Sequence, residues 1–173
     1  MEIFKKHALP GIFFEYASPL GTLFLASSGS AITDLVISPK GGVQAFLKRM
    51  KEKYGALLKN GPDAFKAGKA LDRYFSGKSF SFDLPLSPLG TEFELKIWKA
   101  LASVPWGKTI SYSGLAHASG NPKAARAAGS ACGRNPIPII IPCHRIIRKD
   151  GNLGGYTGGL SIKETLLGLE GIG

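Results

Sequence analysis

Thiols and imidazoles are scarce in this chain. Two cysteines, Cys132 and Cys143, and three histidines are scattered over 173 residues. Two cysteines cannot make a disulfide framework, and no C-x-x-C or H-x-E spacing suggests a zinc site. No apolar run approaches the length of a membrane span. The first residues, MEIFKKHALPG, have no apolar stretch followed by a cleavage pattern, so a secretory signal is not expected. That places the thiols in a reducing cytoplasm, away from any membrane. Acids are missing where they would be most noticed. From Leu95 to Lys149 there are nine Lys or Arg and not one Asp or Glu. A solvated surface usually mixes signs, and a long one-signed stretch suits a face that meets phosphates. The alternative is a basic protein with an uneven distribution.

What is present describes a folded chain. Hydrophobic residues make up 44% and charged residues 20%, with a net charge of +10. The excess is shared: residues 1–90 carry 12 basic and 7 acidic groups, and residues 91–173 carry 10 and 5. A polyanion is the natural partner. The first part reads as hairpins. GIFFEYAS, GTLFLASS and AITDLVIS are short β-prone runs separated by SPLG and SGS. Two helical spacings follow. Val43, Phe46, Leu47, Met50 and Tyr54 form one; Phe65, Gly68, Leu71 and Phe75, with Gly77 past the end, form the other. Nothing in this part suggests chemistry, and His7 reads as a surface residue. SFDLPLSPLG, residues 81–90, has the prolines and glycine of a linker. The expected fold is α+β: a small N-terminal α/β domain over 1–84, with a short antiparallel sheet, and a mainly helical C-terminal domain over 85–173.

The second part opens with a capping box, Thr91 to Glu94, and a helix face of Phe93, Ile97, Leu101 and Val104. SYSGLAHASG predicts a short helix capped by Ser111. NPKAARAAGSACGRNP predicts another, with Asn121 as N-cap and Pro122 at the first helical position. The pair looks like a helix-turn-helix, with the winged-helix arrangement as its nearest type. Its second helix offers little to base edges: Ala124, Ala125, Ala127, Ala128 and Gly129 surround one long side chain, Arg126. Small residues allow close approach to a groove without reading it. Alanines packed in a helical core, with Arg126 solvated, is an equal alternative.

Cys143 stands beside His144, with Arg145, Arg148 and Lys149 close behind. A neighbouring imidazole and a positive field activate a thiol as a nucleophile. The run IPIII before it reads as a buried strand, and Pro142 allows the turn that would bring Cys143 and His144 together. A third group should orient the histidine. Asp150 lies in a basic turn. Glu164 closes a second capping box with Ser161, and capping and catalysis are not separable from the residues. Cys132 reads as an inert buried thiol.

The tetrad Pro142-Cys143-His144-Arg145, preceded by NPIPIII, resembles the active-site signature of the O6-alkylguanine-DNA alkyltransferases. FELKIWKALASVPWGKTISYSGLA, NPKAARAAGSACGRNP and GGYTGGLSIKETLLGLEG resemble that family in order and spacing, covering essentially all of residues 90–171. The first half is similar only loosely. The resemblance implies repair of double-stranded DNA carrying O6-alkylguanine, with no cofactor and no metal, by a protein acting once and as a monomer. Cys143 would accept the alkyl group, His144 would deprotonate it through a water, and Glu164 would orient His144. Tyr112 would donate a proton to the departing guanine, and Asn135 would hold the turn. Arg126 would enter the base stack, with Lys123, Ala125, Ala127 and Gly129 along the minor groove. Tyr156, Thr157, Pro142 and Ile146 would line the pocket. The carbonyls of Cys143 and Ile146 would accept from the base, and Thr157 would lie near its oxygen. A sensor without transfer activity would lack the cysteine. A cysteine hydrolase would need an oxyanion hole and no basic helix-turn-helix.

Overall fold

The computed structural model describes residue 4 and residues 9–55, 57–78 and 81–173. His7 lies outside the described residues. The chain divides into two compact units, Met1–Leu89 and Gly90–Gly173. The division falls within the expected linker, after the expected boundary at residue 84.

In the first unit, the three β-prone runs form β1 (Ile12–Ser18), β2 (Gly21–Ser27) and β3 (Ile32–Ile37). They pair antiparallel, with Phe14 opposite Leu25 and Leu25 opposite Leu35. A two-residue strand, β4 (Lys59–Asn60), joins β1 in parallel, giving the order β3-β2-β1-β4. Side chains alternate across a strand. One face therefore offers Phe13, Phe24, Ala26 and Val36 to Phe46 and Met50 of α1 (Gly42–Tyr54). The ring of Phe46 lies 5.6 Å from that of Phe13 and 5.4 Å from that of Phe24. On the other face Tyr16 stacks on Phe75 of α2 (Ala67–Phe75) and donates to Asp72 at 2.8 Å. The second helical spacing starts earlier than the helix does. Phe65 and Lys66 adopt left-handed backbone, so a 3₁₀ turn at Ala64–Lys66 precedes α2. Asp34 is buried under α1, held by Lys53 at 2.7 Å and Tyr54 at 2.6 Å.

The second unit begins with α3 (Glu92–Ala102), whose capping box forms in both directions. Ile97, Trp98 and Leu101 are buried, and Trp98 donates to the Ala131 carbonyl at 3.0 Å. Ser111 caps α4 (Tyr112–Ala118), accepting from Gly114 N–H at 3.1 Å. Gly120 then takes φ +80. Its N–H bonds the His117 carbonyl and that of Asn121 bonds Ala116, closing α4 as a Schellman motif.

That closure corrects the expected start of the next helix. Asn121 is spent ending α4, and its side chain donates to the Ser119 carbonyl. Pro122 and Lys123 form a turn, and α5 spans Ala125–Gly133 with Ala124 at its N-cap. The expected strand at IPIII is absent as well. Prolines remove ladder donors, and Ile139 sits at φ +73 in a tight turn bridged only between Pro138 and Ile141. The isoleucines are buried as a loop. A parallel pair, β5 (Ile110–Ser111) with β6 (Ile146–Ile147), ties the start of α4 to the segment after Cys143. The chain ends in α6 (Leu160–Leu169), with Gly159 at its N-cap. The expected Ser161–Glu164 box does not form, because the helix already runs at Leu160 and Ser161 lies inside its first turn. Among the described residues no helix is long and apolar enough to cross a membrane.

Candidate active site

Cys143, His144 and Arg145 form a single 3₁₀ turn, and all three are buried. The turn is the one that Pro142 made possible. It is held from below by Asn135, whose Nδ2 donates to the Ile141 carbonyl at 2.8 Å and whose Oδ1 accepts from Ile137 N–H at 3.0 Å. Cys143 N–H shares that Ile141 carbonyl, also at 2.8 Å. Burial raises the Cys143 thiol above its ordinary value. The Asn135 side chain, the Lys163 charge and the Tyr156 hydroxyl pull the other way without winning. The resting form of this side chain is therefore the protonated thiol.

His144 follows it in the same turn. Its Nε2 lies 2.8 Å from Oε1 of Glu170, and both side chains are wholly buried. Glu170 also takes a two-pronged bond from Arg145, Nε to Oε2 at 2.8 Å and Nη2 to Oε1 at 2.9 Å. Gly107 N–H adds a longer contact at 3.4 Å. Burial alone would raise this carboxyl, but His144 and Arg145 outweigh it and bring it to about 2. Burial lowers His144, opposed by Glu170. Because Arg145 already balances the carboxylate, the imidazole rests neutral. Nε2 then carries the hydrogen given to Glu170, and Nδ1 is the basic nitrogen.

This arrangement corrects one expectation. Glu164 is exposed on α6 and is not the carboxylate against His144; Glu170 is. Six residues separate the two, which is nearly two-thirds of a turn beyond one full turn. They therefore lie about 120° apart around the axis, on different faces. The signal for Glu170 lay in α6 itself: Lys163, Leu166, Leu167 and Glu170 follow the spacing of a core-facing stripe, and all four are buried. Lys163 was also missed. Its ammonium bonds the carbonyls of Ile146 and Leu153, clipping the segment after Cys143 to the start of the glycine-rich loop. Burial lowers its proton affinity.

The remaining expected residues lie on α4, at either end of the Cys143 turn, in the loop after β6, on α5 or in the turn that precedes it. Tyr112, half-buried at the start of α4, packs under Gly129 and Gly154: a Cβ on Gly129 would stand 3.3 Å from its ring, and one on Gly154 2.9 Å from its hydroxyl. Gly154 tolerates this approach with φ +71. Pro142 and Ile146 are buried, and Tyr156 is partly so. Ile146 already gives its carbonyl to Lys163, and Cys143 gives its own to Ile146 N–H. Thr157 is exposed and donates to the Gly133 carbonyl at 2.8 Å, tying the loop to the end of α5. Lys123, Arg126 and Ala127 are exposed, while Ala125 and Gly129 are half-covered. Ala128, on the opposite side, is buried. Both readings of the alanine run hold in part: one face packs, and the other presents Arg126. Cys132 is partly covered, and burial pushes its thiol up to about 12.

Two family models match, end to end. Residues 92–172 match the 6-O-methylguanine DNA methyltransferase DNA binding domain, and residues 15–88 match the ribonuclease-like domain of the same enzymes. The chain belongs to the 6-O-methylguanine DNA methyltransferase family. A curated relative from Methanosarcina barkeri, named methylated-DNA–protein-cysteine methyltransferase, is 45% identical over 155 residues, 88% of this chain and 92% of its own. The crystal structure of Mycobacterium tuberculosis OGT in complex with DNA superposes with a TM-score of 0.77 at 40% identity, covering 91% of each chain. The O6-methylguanine-DNA methyltransferase of the hyperthermophilic archaeon Pyrococcus kodakaraensis gives 0.75 at 26% identity, covering 93% of this chain and all of its own. This member of the family shares both halves with its relatives, and the loose N-terminal resemblance of the sequence extends to the fold.

Proposed function

We propose that the protein repairs DNA by moving an alkyl group, typically methyl, from O6 of guanine directly and irreversibly to Cys143. The observation that carries this is the buried Cys143–His144–Glu170 arrangement inside the family-matched second unit. A guanine in duplex must leave the stack before any side chain reaches O6. Arg126, on the exposed face of α5, fills the gap it leaves, with Lys123, Ala125, Ala127 and Gly129 following the minor groove. The first unit is structural, and the second carries DNA binding and the acceptor. The protein works as a monomer in the cytoplasm.

His144 takes the thiol proton at Nδ1, through a water, and its new charge is met by the ionised Glu170 already bonded to Nε2. The Cys143 sulfur attacks the alkyl carbon as the bond from that carbon to O6 breaks. The departing guanine takes a proton from Tyr112. The product is a thioether and an intact guanine. No step regenerates the thiol, so each protein acts once. Asn135 and Lys163 keep the sulfur on line, because a displacement demands an aligned attack.

The test is substitution of each cysteine in turn. Cys143→Ala is expected to abolish transfer and keep binding to alkylated duplex, while Cys132→Ala keeps both. Transfer by Cys143→Ala at the native rate would refute the assignment.

A further inference from the structure

Arg148 has no place in the mechanism above, yet it stands beside the group that must give up a proton. Gly154 shows how close. A Cβ there would lie 2.9 Å from the Tyr112 hydroxyl, 3.3 Å from its ring and 3.5 Å from Cγ of Arg148. The phenol tip and the arginine stem thus close on the same glycine. A tight turn fixes the arginine. Arg148 N–H donates to the Asn152 carbonyl at 2.8 Å, Gly151 N–H returns to the Arg148 carbonyl at 3.1 Å with φ +86, and Asp150 caps Asn152 N–H at 3.1 Å. Arg148 is exposed. β6 immediately precedes it and pairs with β5, which immediately precedes Tyr112. The strand pair thus ends just before both residues, and Gly154 lies against both.

We propose that Arg148 is a positioning residue that acts through Tyr112, its guanidinium stabilising the phenolate that forms as Tyr112 gives its proton to the leaving guanine. This rests on the proton-donor reading of Tyr112. The surroundings make a cation useful. Burial makes the phenol reluctant to ionise, and negative charge on the sulfur of Cys132 or Cys143 would push in the same direction. Arg148 and the Gly155 N–H are the groups that oppose them. Lys149 and Asp150 share the turn, and Asp150 is occupied by Asn152. In the step, the proton passes from the Tyr112 oxygen to the guanine ring while the bond from the alkyl carbon to O6 breaks. The phenolate is held against Arg148 until it recovers a proton from solvent. A nearby opposite charge shifts an acid by about one to two units, and about half of that is felt in a proton-transfer rate, so the effect is about threefold to tenfold.

The experiment is a double-mutant cycle on the full-length protein. Single-turnover transfer is measured at saturating protein with O6-alkylguanine duplex, and with free O6-benzylguanine derivatives of graded ring basicity. Arg148→Gln is expected to slow transfer about threefold to tenfold and to steepen its dependence on leaving-group basicity. Arg148→Lys restores most of the rate. Arg148→Gln added to Tyr112→Phe costs nothing more, because its route is gone. Additive losses would overturn the proposal, and so would an Arg148→Gln defect confined to DNA affinity, which marks a phosphate contact. If Tyr112→Phe itself leaves the leaving-group dependence unchanged, the proton-donor reading fails as well. If Tyr112→Phe steepens it and Arg148→Gln does not, only the role of Arg148 is refuted.

Discussion

Replacing Glu170 with Gln removes one charge from a wholly buried side chain of the second unit and keeps its volume. Two routes give the cost. A buried pair that loses one partner leaves the other charge stranded, here Arg145 at 5% exposure, and that costs about 3 kcal/mol or more. Proton linkage gives a second figure. A carboxyl at about 2 in the folded protein against an ordinary 4.5 contributes about 3 kcal/mol at neutral pH. The sign follows from the depressed value. The contribution is complete above the unfolded value of 4.5 and is lost as pH falls towards 2. His144 adds to the same slope from about 6.5 downwards, because its folded value is lowered and the unfolded chain takes up the proton first. Urea unfolding at a series of pH values between 2 and 7 reads both effects. Glu170→Gln is expected to lose about 3 kcal/mol at pH 7 and to show a flatter acid limb below pH 4.5. Glu164→Gln, on the exposed face, is expected to change stability by less than about 0.5 kcal/mol and transfer not at all. Equal stability and equal acid slopes for the two variants would refute the assignment of Glu170.

Arg126→Ala is expected to slow repair in duplex by about tenfold or more while leaving reaction with free O6-benzylguanine near the native rate, since only the duplex must be opened. Equal losses on the two substrates, in parallel single-turnover assays, would remove Arg126 from base extrusion. Asn135→Ala strips the Ile137 N–H of its partner and one of the two bonds on the Ile141 carbonyl. Thermal unfolding is expected to show a loss of about 2 kcal/mol, accompanied by slower transfer, and a variant as stable and as fast as the native protein would free the Cys143 turn from Asn135.

The readable parts of this fold were those set by local chemistry. Three hairpin strands, the capping box at Thr91 and the Ser111 cap depend on neighbours a few residues away, and they form where the residues indicate. Cys143 and His144 could be singled out because a turn at Pro142 brings adjacent residues to one site. The departures come from competition between signals. Asn121 suits an N-cap but is used to end α4, so α5 starts later. IPIII has the composition of a strand, but Pro136 and Pro138 deny it ladder donors and Ile139 turns back. Ser161 and Glu164 satisfy the spacing of a capping box, yet Gly159 starts the helix ahead of them. Glu170 carries no such local signature, because its partner His144 lies 26 residues away in sequence. A charged residue in an apolar stripe was the signal for it, and Lys163 carries the same mark.

The central claim is that one sulfur takes one alkyl group and keeps it. Intact and peptide mass after incubation with excess duplex carrying O6-methylguanine tests it most directly. The expected result is a single added methyl, on the peptide containing Cys143, with one lesion repaired for each protein. Unmodified protein with many lesions repaired, or with the lesion still bound and intact, would contradict it.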